Sequence, residues 1–375
     1  GFATTQILGI LLSLFCGILI SRLITDFWTN KNRHFEYFTN LSRRIFKHSQ
    51  YKFIEFRKVA YIISVIVLVL GIGALFNGFD QGVEYKGGRS YTVRFDKAVN
   101  PEQVAESLTS QFEERPIIKT VGDNRTLNIT TAYMIDNANK STDSIVESKL
   151  FAGIKDQLPA NASFADYKRN NKQNSQTVLP SISDDLKKGA VKATIFAIIA
   201  IFLYIFLRFR DWRYSVGTIV ALLHDVFVTL AVFSFLKGVV PFPLEIDQHF
   251  IAAILTVIGF SMNDTVIVFD RIRENSHLMK GAGKAEIINR SINETLSRTI
   301  MTSLTVFLTL LILFIFGGET TRGFAFAMLI GVITGTYSSI FVAAPILMDL
   351  AKDKPLGEGS ETPKSPAPKK SAATA

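Results

Sequence analysis

Thiols are nearly missing from this chain: Cys16 is its one cysteine, and it sits inside an apolar run. That excludes an intramolecular disulfide framework and a multi-thiolate metal site. Histidine is scarce too, five residues without close ligand spacing, which argues against a zinc centre. Charge is thin, 19% of 375 residues against 48% apolar, less than a soluble domain of this size carries. Also absent are GxxxxGK[ST], HExxH and GxSxG, so no phosphate loop, zinc-protease helix or nucleophile elbow is present. The net charge is +9, yet residues 77–188 hold fifteen acidic and fifteen basic side chains, so the surplus lies elsewhere. A nucleic-acid binder would concentrate it on a folded basic face, and no nucleic-acid partner is expected.

What the chain has in abundance is long apolar runs. Six, near 2–24, 58–76, 189–207, 214–236, 248–268 and 323–348, approach the roughly 20 residues that a bilayer-crossing helix needs. A seventh, 299–316, ends at Gly317-Gly318, a natural helix stop. Backbone in lipid must satisfy its own hydrogen bonds, so these runs predict helices and not strands. The sequence opens on Gly1 with apolar residues at once, lacks the charged start of a signal peptide, and reads as beginning inside a larger polypeptide. Lys31, Arg33, Arg43, Arg44, Lys47, Lys52, Arg57 and Lys58 join the first two runs; Arg208, Arg210 and Arg213 join the third and fourth. Arg271, Arg273, Lys280, Lys284 and Arg290 follow the fifth, and Lys352 and Lys354 follow the last. The positive-inside rule places these four regions in the cytoplasm and residues 77–188 on the opposite side.

Residues 77–188 are long enough for one small domain. Strand patterns at Ser90–Phe95, Ile117–Val121, Arg125–Thr131 and Ser163–Lys168, with helix patterns at Pro101–Phe112 and Thr142–Leu158, give a β-α-β-β-α-β order. That is the order of a ferredoxin-like split unit, a fold that hosts many functions. Residues 169–178 read as a polar linker, and the Pro/Ser/Lys/Ala-rich tail from Lys352 reads as disordered, with docking to an acidic partner or anionic lipid as its functional alternative. Gly1-Phe2-Ala3, Gly9 and Ile18 recur at a fixed offset as Gly323-Phe324-Ala325, Gly331 and Ile340. Duplication of a membrane bundle in parallel repeat accounts for this.

Two carboxylates fall within apolar runs: Asp225 beside His224, and Asp264 in Ser261-Met-Asn263-Asp264-Thr265. A carboxylate at bilayer depth costs about 2.5–3.5 kcal/mol or more, so it persists where it pairs, titrates or lines water. Burial favours a neutral carboxyl and a neighbouring cation favours a charged one, which makes such a group switchable. Each acid is therefore a proton carrier or a satisfied polar anchor. Arg298, opening the sixth run, either snorkels to the interface or turns inward as the counter-ion of Asp264. Asp270, Arg271, Arg273 and Glu274 read as interface charges paired along one helix, and Gly331-xxx-Gly335 as a close-packing motif.

Gly82-Val-Glu84-Tyr85-Lys-Gly87-Gly88 resembles the Gly-Ile-Asp-Phe-x-Gly-Gly signature of the SecD/SecF protein-export family, with Glu84 and Tyr85 replacing the usual acid and aromatic. The run from Ser261 to Asn275 is similar to that family's most diagnostic segment, and Thr295-Leu-Ser-Arg298-Thr299 and Phe316-Gly-Gly318 follow in order. Residues 1 to 24 look like the last helix of a SecD half. The resemblance implies an α-helical polytopic membrane protein, an RND-type bundle of seven spans with one small α+β ferredoxin-like periplasmic domain. Its implied parts are 25–57 as a basic cytoplasmic linker, 58–76 as the first SecF span, 77–188 as the periplasmic domain, 189–350 as a five-helix bundle and 351–375 as a cytoplasmic tail. It further implies a non-enzymatic export subunit of the bacterial inner membrane, driven by a proton gradient or by sodium, without cofactor. Asp264, Arg298 and Asp225 fall on the proton relay, Asn263, Thr265 and His224 beside it, and Glu84, Gly87 and Gly88 on the signature turn. Implied partners are the SecD half, the SecYEG channel, YajC, YidC and unfolded preproteins. A non-motor scaffold and an RND exporter of small molecules or lipids remain as alternatives.

Overall fold

A chain this apolar can fold only where lipid replaces water around its helices, and in the computed structural model much of the apolar surface of those helices faces outward. The structure describes residues 2–30, 50–121, 123–135, 137, 140–159, 161–240, 242, 244–317, 319–352 and 356. Gly1, Lys31, Arg33, Arg43, Arg44, Lys47, Gly122, Gly318, Lys354 and the tail from 357 lie outside them. The described chain forms two units, 1–49 and 50–375. The first is a single helix, α1 (Ile7–Thr29), which is α-helical except for a π-helical stretch at Phe15–Ile20.

The second unit begins with α2 (Phe53–Asn77), then β1 (Asp80–Gln81), a helical turn at Val83–Lys86, β2 (Gly88–Arg94), α3 (Pro101–Phe112), β3 (Ile117–Val121), β4 (Asp123–Thr131), α4 (Lys140–Ile154) and β5 (Lys172–Val178). Next come α5 (Pro180–Phe209), α6 (Trp212–Leu236), β6 (Glu245–Ile246), α7 (Gln248–Leu278), α8 (Lys284–Phe316) and α9 (Thr321–Ala351). Among the described residues seven helices are long and apolar enough to cross a membrane, as the sequence predicts. Three are much longer than their apolar runs: α5 starts nine residues before the run at 189, α7 continues ten residues past 268 to Leu278, and α8 starts at Lys284, not at 299.

Between α2 and α5 lies a four-stranded antiparallel sheet in the order β3-β4-β2-β5. This is the split β-α-β order expected from the sequence. Val93, Leu127 and Ile129 of the sheet meet Val104 and Leu108 of α3 and Val146 and Leu150 of α4 in one buried core. Asn100 caps α3, its side chain accepting from the Glu102 amide at 3.0 Å, with Pro101 in the first turn. Arg89 is buried under the sheet, with Nε 2.7 Å from Asp143 and its guanidinium donating to the Tyr133 carbonyl.

The last strand is not where the pattern puts it. Ser163–Lys168, expected to be β, begins with a capping box in which Ser163 and Asp166 satisfy each other's amides, so the chain turns helical there. The final strand is β5, inside the stretch read as a polar linker. It sits at the sheet edge with its side chains largely exposed, so nothing requires apolar alternation in its sequence.

In the bundle, α7 packs against α9 through glycines: at Gly331 a methyl group would run into the Val257 side chain, and at Gly335 it would lie 2.9 Å from Ser261 Cβ. The close-packing reading of Gly331-xxx-Gly335 therefore holds. At the domain end, Phe233, Phe250, Val257, Leu310 and Met328 form the bundle's apolar core.

The domain is fastened to the bundle by more than its two connecting chains. β1 pairs in parallel with β6, Asp80 opposite Glu245 and Gln81 opposite Ile246. Lys119 Nζ of β3 reaches Glu245 Oε2 at 2.6 Å, and both side chains are mostly buried. Burial raises the Glu245 carboxyl above its ordinary range, opposed by the Lys119 charge. The folded state therefore binds a proton there more readily than the unfolded chain, and stability falls as pH rises through that raised value. Replacing Lys119 by Met should leave the buried carboxylate unanswered at a cost of about 1–3 kcal/mol at pH 8 and less at pH 5, where a larger share of Glu245 is protonated. Thermal unfolding of the purified protein at both pH values checks this, and adding Glu245→Gln should remove the pH dependence of the loss.

Candidate functional site

The polar residues of the apolar helices converge between α6, α7, α8 and α9. Asp225, on α6, is fully buried. Its Oδ2 accepts from Ser261 Oγ of α7 at 2.6 Å and from Ser338 Oγ of α9 at 2.7 Å. Its Oδ1 lies 3.2 Å from Nδ1 of the adjacent His224. Three groups from three helices thus hold one carboxylate. The His224 ring stacks on Tyr337 with 5.8 Å between centroids, and its Nε2 is buried without a partner.

Asp264, on α7 one turn from Ser261, is equally buried and far less satisfied. Oδ2 receives one long contact, from Ser303 Oγ of α8 at 3.4 Å, and Oδ1 has no hydrogen-bond partner. Ser303 in turn lies 2.6 Å from Thr336 Oγ1 of α9. The Thr299 hydroxyl, one turn away on α8, is also buried and unpartnered. A buried carboxylate with a free oxygen is a place to receive a proton, a water or a small cation.

Arg298 is not brought into contact. Its side chain is exposed on α8 and makes no hydrogen bond or ion pair among the described residues, although its charge is close enough to act on Asp264 through space. Exposure follows from helix geometry: Thr295, Thr299 and Ser303 take the inward face at four-residue spacing, and Arg298 falls beside it. The inward counter-ion is therefore not observed as an ion pair. Asn263 is exposed, and Thr265 donates to the Ser261 carbonyl of its own helix at 3.0 Å, so neither supports Asp264. Sequence reasoning missed Ser261 and Ser338 as partners of Asp225 and Ser303 and Thr336 as the path to Asp264. Hydroxyls on the inward faces of otherwise apolar helices were the available signal.

The signature turn lies at the domain's root. Gly87 (φ +78°) and Gly88 (φ +156°) take the chain from the helical turn into β2, and a methyl at Gly88 would lie 3.0 Å from the Thr131 carbonyl oxygen. Ser183, in the first turn of α5, donates to the Tyr85 carbonyl. Tyr85 is buried, and burial, with the charges of Asp247 and Glu84, pushes its phenol above its usual range. Glu84 is half-buried and has no ion pair among the described residues.

This geometry can be set beside known proteins. Residues 160–353 match the protein export membrane protein SecD/SecF C-terminal family, and residues 72–99 match the SecD/SecF GG motif. The protein translocase subunit SecF of Rhodothermus marinus is 41% identical over 308 residues, covering 82% of this chain and 95% of that protein. The chain belongs to the SecD/SecF protein-export family. A protein translocase subunit SecDF from Brucella abortus is 32% identical over 93% of this chain and 43% of its own length. The crystal structure of SecDF from Thermus thermophilus, a translocon-associated membrane protein, matches with a TM-score of 0.74 at 31% identity, over 94% of this chain and 45% of that one. This chain thus spans less than half of the SecDF proteins it matches and nearly all of the SecF protein. Within the family the GG motif is, in this chain, Gly87-Gly88.

Substitution should separate the two acids. Ser338→Ala, which removes a 2.7 Å donor from Asp225, should destabilise the bundle by about 1–3 kcal/mol, whereas Ser303→Ala, at 3.4 Å from Asp264, should cost well under half of that. Unfolding titrations of the two variants in micelles measure the difference.

Proposed function

We propose that this chain is the SecF portion of an ion-driven export machine, in which proton uptake at Asp264 alters helix packing and thereby moves the extramembrane domain against an emerging preprotein. The observation that carries the reading is the Asp264 carboxylate, buried in the bundle with one oxygen unpartnered. A group so placed gains from binding a proton, and it lacks the pair of serine donors that Asp225 has. Membrane potential supplies about 2.3 kcal/mol per charge per 100 mV, enough for one or a few protons to bias a two-state rearrangement. Arg298 acts here through space: neutralising Asp264 weakens its pull on the guanidinium, and α8 and α7 repack. No covalent step and no cofactor is required; sodium at the same carboxylate is the variant of the scheme.

The domain is suited to follow such a shift because α2 and α5 frame it and the β1–β6 pair and Lys119–Glu245 contact tie it to the α6–α7 connection. In this reading the membrane is the bacterial inner membrane, the domain is periplasmic, and the chain's end is cytoplasmic, following the Lys/Arg distribution. The partners are the SecD half, the SecYEG channel with YajC and YidC, and unfolded preproteins. Similarity to SecF and SecDF proteins over most of this chain supports that assignment.

The test uses the whole fused or paired SecD–SecF protein in proteoliposomes with the translocon. Asp264→Asn and Arg298→Met should each abolish the export that depends on the gradient, with ATP held constant, while the protein remains folded. Full activity in both variants would leave a scaffold role in place of a motor, and dependence on sodium in place of protons would reassign the ion.

A further inference from the structure

At the turn between α5 and α6 the membrane helices leave a cavity of about 930 Å³ outside the relay. Arg208, Arg210 and Arg273 line it, together with Asp270 and Glu274. The charges there do not balance. Arg208 Nη2 lies 2.9 Å from Asp270 Oδ2 and Arg273 Nη2 lies 3.6 Å from Asp270 Oδ1, so two guanidiniums share one carboxylate. Glu274 is taken by Arg271 at 2.6 Å. Arg210 ends α5 with φ +56° and its side chain has no acid partner among the described residues. Three arginines thus face one available carboxylate across a shared space. Arg208 and Arg273 also lean on the Phe209 ring, 5.8 and 5.5 Å from its centroid, which fixes both guanidiniums near the cavity wall.

The depth of this cavity is marked from both sides. Leu207, in the last turn of α5, is 73% exposed and lies on its lining. Trp212, the first residue of α6, is 52% exposed. An outward-facing apolar side chain at the end of one helix and an exposed indole at the start of the next are the signature of the bilayer–water boundary. A surplus of positive charge at that depth, with hydrocarbon on one side, fits a ligand that carries a phosphodiester on an acyl body.

We propose that Arg208, Arg210 and Arg273 form a binding site for the headgroup of an anionic phospholipid at the α5–α6 turn. The phosphate accepts from Arg210 and from the guanidinium edges of Arg208 and Arg273 that Asp270 leaves free, and the acyl chains lie along Leu207. Asp270 keeps the two paired arginines from splaying apart. The site is separate from Asp264 and independent of the ion that drives export.

Trp212 supplies the readout. The full chain with Trp28→Phe retains it as its single tryptophan. Reconstituted in dioleoylphosphatidylcholine, its fluorescence is titrated with brominated phosphatidylglycerol and, separately, with brominated phosphatidylcholine. The anionic lipid should quench at a markedly lower mole fraction, and each arginine removed should cost about 5-fold of that preference. Arg210→Gln, which loses no partner, tests this without disturbing Asp270; adding Arg273→Gln should bring the two lipids close to parity. Arg290→Gln, on α8 and paired with Glu294, should leave the preference intact. Equal quenching by the two lipids in the parent, or an unchanged preference in Arg210→Gln, overturns the proposal. Loss of the preference on adding inorganic phosphate at constant ionic strength would assign the site to a free anion and overturn the lipid.

Discussion

Hydrocarbon forces an answer from every carboxylate placed in it: either donors surround the charge or a proton removes it. This bundle contains both answers along one helix. Ser261 and Asp264 stand three residues apart on α7, the first completing the cage of Asp225 and the second left with a single long contact. The cage draws on α6, α7 and α9 at once, so Asp225 serves as a joint among three helices. The sparse surroundings of Asp264 leave its charge state free to change without dismantling that joint. Asp225 is thereby tied to three helices, and Asp264 keeps one oxygen without a partner.

A response in the bundle matters only if something outside it is mechanically connected. The end of α2 is stitched to α6 where the domain begins: Asn77 Nδ2 donates to the Ser234 carbonyl and to its hydroxyl oxygen at 3.0 Å, and Lys237 Nζ reaches the Asn77 carbonyl at 2.9 Å. A few residues on, Gly82 donates to the Ile246 carbonyl at 2.9 Å, extending the β1–β6 pair. The glycine pair then delivers the chain into β2, the strand that pairs with both β4 and β5. From helix end to sheet centre there is no long flexible stretch. The domain is thus attached to the ends of α2, α5 and α6, and the buried Lys119–Glu245 contact attaches β3 as well.

Composition and apolar run length were enough to read the spans, because lipid imposes a length and forbids unpaired backbone. The β-α-β-β-α order was legible for a similar reason: Val93, Leu127, Ile129, Val104, Leu108, Val146 and Leu150 all face one core and show its period. β5 was not legible, since an edge strand held by its backbone need not display apolar alternation, and the Ser163–Asp166 cap was overlooked as a helix start. Of the site, the two acids announced themselves as rare charges in apolar sequence. Their partners did not, because a serine in such a helix also satisfies itself on its own backbone, as Thr265 does. Arg298 shows the limit of spacing arguments, for its place beside the inward face of α8 depends on helix rotation, which residue order alone does not fix.

One helix registers both acids. α9 contributes Ser338 to Asp225 and Thr336 to Ser303, which in turn contacts Asp264. Its Gly331 and Gly335 leave room for the Val257 and Ser261 side chains of α7 to lie against its backbone. Just beyond, Ser339–Ala343 is π-helical ahead of Pro345, a residue that cannot donate to the preceding turn, so the helix already departs from regular bonding there. A shift of α9 along α7 would alter the surroundings of Asp225 and Asp264 together. A π-helical stretch also interrupts α1 at Phe15–Ile20, and the offset that aligns Gly-Phe-Ala in the two helices brings it onto 337–342, over most of the irregular turn of α9. The repeat in the sequence is thus a repeat of a backbone irregularity, and in α9 that irregularity lies directly after the serine that holds Asp225.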